Sequence, residues 1–312
     1  MTARTVSRRS FLGTSFLLSG LLSGSQFGGA PEAAVQLRRS DADETVTADF
    51  EQLVRANSSL RNIRKSTFAY AQLTQTGTTT TGSFASGVLL DNDGTLCLSA
   101  HGLNAKEIYL TFAPKPNTPL LMIADLSPAH RGIDIVFASM RDPSLIKKQG
   151  LEPIKLDPTM GSTQASGKKV VFVGWPGTTL VLNAARTNAA RTPEVKFGCL
   201  HAIQGVTDRY LDQEYVSGIG TKSCSIVAHP HTFDSFSGGP VVSLEGRYAG
   251  LLNAEVGDRG TLFTPAQTVI AAYVTLFPER AKKAGITMPI TTQAERRERK
   301  SCQFNKTDFR PL

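Results

Sequence analysis

Two apolar runs, Ser86-Gly87-Val88-Leu89-Leu90 and Leu96-Cys97-Leu98-Ser99-Ala100, flank Asp91-Asn92-Asp93-Gly94. Asp, Asn and Gly accept the positive φ of a tight hairpin turn, so this stretch reads as two paired antiparallel strands. Similar short runs recur down the chain, at residues 108–112, 120–125, 133–138, 168–177, 195–203, 224–229, 241–244, 246–253 and 260–265, with turn residues between many of them. A succession of this kind predicts an all-β protein. Residues 266–284 differ, because Val269, Ile270, Tyr273, Val274 and Phe277 fall at helical spacing and predict a C-terminal helix. At 312 residues, 40% apolar and 19% charged, the chain has material for one two-lobed domain or two small ones.

The ends of the chain read differently from its middle. Residues 1–31 contain Arg4, Arg8 and Arg9 with no acidic residue before Glu32, and their apolar stretch, residues 11–22, is too short and interrupted for a stable membrane span. This predicts a cleavable export signal over residues 1–30, and Ser7-Arg8-Arg9-Ser10-Phe11-Leu12 resembles the twin-arginine signature. An organellar transit peptide is the alternative for such an Arg- and Ser-rich leader, with export to the periplasm or cell exterior the first reading. Residues 31–46 read as a linker, and Phe50, Leu53, Val54 and Leu60 predict a short helix. Residues 63–73 look extended, and the Thr-rich residues 74–82 read as an exposed hairpin loop. Residues 143–167 form a long connection, and residues 286–312 a basic, solvated tail.

Chemistry concentrates in Asp234-Ser235-Phe236-Ser237-Gly238-Gly239-Pro240, followed by Val241-Val242. A serine in a Gly-Gly-Pro bend entering a strand can expose its hydroxyl while its own N–H faces a reacting carbonyl. An ordinary hairpin turn uses the same residues. Upstream, His101 directly follows a strand and Asp134 heads another. Each has a plain structural reading, as a satisfied histidine and a solvated turn aspartate. A carboxylate leading a buried strand is nonetheless costly unless something donates to it, and an imidazole N–H can. The chain order His, Asp, Ser is one of three that build the same triad geometry, with Asp125 as the second candidate for the acid.

On these three segments the chain resembles trypsin-like serine peptidases of the chymotrypsin fold, most of all the bacterial Deg or high-temperature-requirement branch. The resemblance implies two six-stranded antiparallel β-barrels over residues 61–285, with the crossing between them near residues 143–167. It implies a serine endopeptidase in which Ser237 attacks, His101 is the general base, Asp134 orients the imidazole, and the backbone N–H groups of Ser235 and Ser237 form the oxyanion hole. The family's Gly-Asp-Ser reads Ser235-Phe236-Ser237 here, so a serine must take the backbone shape that a glycine usually takes, and a catalytically impaired barrel that binds extended peptides is the alternative function. His231, six residues before Ser237, and Thr232 fall where the family builds its specificity pocket; with no acid there, cleavage after Lys or Arg is not expected. The strand at Phe263 resembles the Phe-Ala-Ile-Pro segment of Deg enzymes, where an extended substrate could add as a strand. The residues after the helix are too few for a PDZ module.

The formal charge of +8 sits partly in the leader and the tail, and no nucleic-acid-reading motif accompanies it. Nucleic-acid binding is therefore not expected, and the resemblance implies protein or peptide substrates. The four cysteines, Cys97, Cys199, Cys224 and Cys302, lack metal-ligand spacing, so neither metal nor cofactor is expected; Cys199 and Cys224 could pair in an oxidising compartment.

Overall fold

The computed structural model describes residues 16–18, 48–76, 79–101, 103, 106–112, 122–130, 133–156, 166–175, 178–181, 194–197, 200–211, 225–229, 232, 235–255, 260–287 and 306–311. Two short strands come first, β1 (Phe16–Leu18) and β2 (Ala48–Asp49), and they join different sheets. Helix α1 (Phe50–Ala56) buries Phe50 and Leu53, the face its spacing predicts. A second helical turn, α2 (Ile63–Ser66), occupies the start of the stretch expected to be extended. The hydroxyls of Ser66 and Thr67 both donate back to the Ile63 carbonyl, at 3.0 and 2.8 Å, and this local bonding wins over strand pairing.

The first barrel comprises β3 (Thr67–Thr76), β4 (Thr79–Leu89), β5 (Thr95–Leu98), β6 (Glu107–Thr111), β7 (Met122–His130) and β8 (Ile135–Met140). Its order is β4-β3-β6-β7-β8-β5, and β5 pairs back onto β4 to close it. The Thr-rich stretch expected as a loop is instead strand on both sides of residues 77–78, with Thr76 opposite Thr79. Threonine's branched Cβ suits extended backbone, which outweighs its polarity here. Phe68, Leu89, Leu96, Leu98, Ile108, Leu110 and Val136 fill the interior without solvent exposure.

Beyond β8, α3 (Ser144–Lys148) leads into a crossing segment that touches both barrels. Ile154 N donates to Leu89 O at 3.0 Å, and Tyr248 N donates to Lys155 O at 2.6 Å. The second barrel follows, with β9 (Lys169–Gly174), a side hairpin of β10 (Thr178–Val181) and β11 (Glu194–Phe197), then β12 (His201–Leu211), β13 (Ser225–His229), β14 (Pro240–Ser243), β15 (Tyr248–Glu255) and β16 (Thr261–Pro265). Its order is β13-β16-β15-β14-β9-β12, closed by β12 pairing with β13. The protein is thus the expected pair of six-stranded antiparallel barrels, with β1 added to the first sheet and β2 to the second.

A shared apolar cluster welds the lobes, bringing Val88, Cys97 and Phe137 of the first against Val171, Val173, Tyr248 and Leu251 of the second. The C-terminal helix covers this seam as two pieces, α4 (Ala266–Leu276) and α5 (Pro278–Lys283), because Pro278 cannot continue the backbone hydrogen bonding of α4. Tyr273 donates its hydroxyl hydrogen to Asp91, while Arg280 reaches Thr95 and Ser139, each at 3.1 Å, so helices that follow the second barrel grip the first. No helix among the described residues is long and apolar enough to cross a membrane.

The tail corrects one expectation. Arg310 exchanges both backbone hydrogen bonds with Ala129, at 2.8 and 3.0 Å, and Phe309 lies edge-on against His130 with only 7% exposure. The outer edge of β7 beyond Asp125 is not covered by β6, whose register runs from Glu107 opposite Asp125 to Leu110 opposite Met122. One apolar side chain and one open strand end are enough to dock residues 306–311.

Candidate active site

Strand pairing places the first two candidate residues side by side. Leu98 of β5 stands opposite Val136 of β8, so the chain leaving one strand and entering the other brings His101 against Asp134. Asp134 sits at φ 54 in the turn before β8, a left-handed conformation that aspartate tolerates better than most residues. Its Oδ1 accepts the His101 backbone N–H at 2.6 Å, and its Oδ2 accepts the His101 Nδ1–H at 2.7 Å. The carboxylate side chain is 2% exposed and the imidazole 19%. Burial works to lower the His101 pKa, but the charge and hydrogen bond of Asp134 outweigh it and leave it raised above the ordinary 6.5. The fallback acid, Asp125, lies elsewhere, in an exposed pair with Arg141 at 2.8 Å.

Ser237 occupies the turn before β14. Gly238 has φ 83, and a Cβ on it would meet Ser86 O at 2.2 Å; a Cβ on Gly239 would meet Val173 O at the same distance. The turn therefore lies flat on β4 and β9, and Gly-Gly is required by close approach as well as by φ. Gly238 N donates to Leu252 O at 2.7 Å, and Leu252 N to Gly239 O at 2.9 Å, which ties the turn to β15. The Ser237 hydroxyl donates to Asn253 O at 3.2 Å.

Asn253 is the residue that sequence reasoning missed. Its Nδ2 donates to Asp134 Oδ2 at 3.0 Å and to Asp134 O at 3.2 Å, while its Oδ1 accepts from Thr264 Oγ1 at 2.7 Å. One buried residue thus holds the aspartate by its side chain and the serine hydroxyl by its backbone. An amide inside the apolar run Gly250-Leu251-Leu252-Asn253-Ala254 was the available signal, since a buried amide is present only where its hydrogen bonds are met.

Ser235 stands at φ 72, the left-handed region, which costs a non-glycine residue about 1–2 kcal/mol. Its carbonyl accepts the Ser86 hydroxyl at 2.9 Å. Phe236, which stands where the resembled family has a polar residue, is fully buried among Val170, Phe172, Leu252 and Phe263. Its side chain is a plug of the second barrel's core, which accounts for an aromatic residue beside the serine.

The candidate substrate residues divide. Thr232 is 7% exposed, with its hydroxyl 3.4 Å from that of Thr261. His231 lies outside the described residues. Phe263 is corrected: its side chain is 1% exposed in the barrel core, and it is paired on one side with Ile226 and on the other with Leu252, so no peptide can add to its strand at that point. Among the described residues, no group of three or more His, Cys, Asp or Glu side chains could hold a metal ion. Cys97 is a buried free thiol between the barrels, and desolvation together with the nearby Asp134 charge pushes its pKa up. Cys199, Cys224 and Cys302 lie outside the described residues.

Comparison with solved structures agrees with this architecture. The Rv3671c protease from M. tuberculosis in its active form superposes with a TM-score of 0.50 at 16% identity, over 83% of this chain and 97% of that one. The MamO protease domain from Magnetospirillum magneticum gives 0.46 at 17% identity, over 68% and 97%. Deg5 gives 0.46 at 15% identity, over 73% and 96%. No protein-family model matches the chain, and no curated protein matches it. The likeness to the first of these structures gives the fold, the double barrel of trypsin-like serine proteases.

Proposed function

We propose that the protein is a serine endopeptidase that cleaves peptide bonds through an acyl-enzyme. The observation that carries the reading is the pair of hydrogen bonds from His101 to the buried Asp134 carboxylate, which fixes the imidazole with Nδ1 protonated and leaves Nε2 as the basic nitrogen. In the reaction Ser237 Oγ turns from the Asn253 carbonyl, passes its proton to His101 Nε2 and bonds to the scissile carbonyl carbon. The carbonyl electron pair moves onto oxygen, and the N–H groups of Ser235 and Ser237 meet that charge, a donor of this kind being typically worth about 10²–10³-fold in rate. His101 then returns the proton to the leaving amine, and water repeats the sequence to release the acid.

Protein or peptide substrates follow from this chemistry, with no cofactor and no nucleic acid. Thr232 and His231 remain the proposed specificity residues, against cleavage after Lys or Arg. The twin-arginine-like leader assigns the enzyme to an exported location.

A fluorophosphonate probe tests the reading. The intact protein is expected to be labelled at Ser237, and labelling is expected to vanish in Ser237→Ala and fall steeply in His101→Ala. A folded protein that resists the probe would leave the second reading, a silent barrel that binds extended peptides. That reading draws on the left-handed Ser235 and on the engagement of the serine hydroxyl by Asn253.

A further inference from the structure

We infer that Ser86 is a positioning residue for the oxyanion-binding turn, and that its hydroxyl supports Ser235 in the left-handed conformation that a glycine would adopt without strain. This role has catalytic meaning only if the protein is the acyl-transfer enzyme proposed above. Ser86 is fully buried on β4 and touches no reacting atom. Its Oγ accepts the Trp175 backbone N–H at 2.9 Å and donates to Ser235 O at 2.9 Å. A hydroxyl has one hydrogen, and here that hydrogen is committed to the Ser235 carbonyl. The Ser86 backbone N–H donates to Ser237 O at 3.0 Å. One residue therefore grips the carbonyls on both sides of Phe236, whose ring is sunk in the barrel core.

A serine at φ 72 relaxes by letting the peptide planes on either side of its Cα rotate. Such rotation redirects the N–H groups that a developing oxyanion needs. Ser86 holds the plane on the C-terminal side of Ser235 by its carbonyl and anchors the next carbonyl but one. With glycine at position 235 both hands of φ are open at little cost, and the grip matters less. The two positions should therefore be coupled, in a way that a merely structural hydrogen bond is not.

The test compares Ser86→Ala, Ser86→Thr, Ser235→Gly and the Ser86→Ala/Ser235→Gly double variant with the parent. Two readouts are taken: the rate at which Ser237 Oγ displaces fluoride from a fluorophosphonate, and the amide resonances of Phe236 and Ser237. Ser86→Ala is expected to slow labelling about 10- to 100-fold, no more than the loss of one oxyanion donor, and Ser86→Thr to restore most of it. In the glycine-235 background, Ser86→Ala should slow labelling by no more than about threefold. The two amides should shift in Ser86→Ala and hold near their parent positions in the double variant. Equal effects of Ser86→Ala in both backgrounds, or unmoved amides, would overturn the inference.

If Ser86→Ala does not fold because Trp175 loses its acceptor, Ser235→Gly alone decides. It should label at least as fast as the parent, and slowing beyond about tenfold refutes the strain account. A parent that is never labelled, with amides that respond as expected, would sink the protease reading and leave the role of Ser86 in shaping the turn intact.

Discussion

The Asp134 carboxylate accepts from the His101 backbone, the His101 imidazole and the Asn253 amide, and two predictions follow from these partners. Replacing it with Asn reverses the hydrogen bond to His101 Nδ1, leaves the wrong tautomer, and should lower kcat by about 10⁴-fold with little change in far-ultraviolet dichroism. Asn253→Ala removes an amide donor from the same oxygen, so the carboxylate charge falls more heavily on the imidazole. We expect the acidic limb of kcat/KM to move to higher pH and kcat to drop roughly tenfold, as read from steady-state pH profiles. In the parent that limb should lie above 6.5, because His101 works as a neutral base and its pKa is raised. The stability linkage has the opposite sense. A raised folded pKa contributes stability that is complete below 6.5 and is lost as the pH climbs through the raised value, so the Tm difference between parent and His101→Gln should shrink in that window.

At the scale of elements, the hairpin around Asp91–Gly94, the strand before His101 and the strand after Asp134 were legible because turn residues and apolar runs coincide in each. Other elements were decided by partners that no local window contains. The Thr-rich strands are held by each other, α2 by two hydroxyls closing on one carbonyl, and residues 306–311 by an open edge of β7 far away in sequence. The partners of Asn253 and Phe236 were hidden for the same reason: an amide in an apolar run marks Asn253 as hydrogen-bonded without naming Asp134 and Thr264, and Phe236 acts through a core that only the closed barrel creates. The docked tail gives a prediction of its own. Phe309→Ala should lower stability by up to about 3 kcal/mol in a denaturant titration, and amide exchange at Ala129 and Arg310 should quicken with it.

For the whole molecule, the catalytic proposal requires that the barrels keep a fixed relation, since His101 and Asp134 come from the first and Ser237 and Asn253 from the second. The shared apolar seam and the grip of Tyr273 and Arg280 on the first barrel supply that constraint. Arg280→Ala leaves the chemistry untouched but loosens the grip, so it should lower Tm by a few degrees while kcat at 25 °C stays within about twofold. Cys97 lies in the seam with its thiol out of reach of solvent. In a variant whose other three cysteines are serine, a thiol-modifying reagent could reach it only when the lobes part or the first barrel comes undone, so the modification rate becomes a clock for those rare excursions. A transition-state mimic bonded to Ser237 and held by His101 should slow that clock.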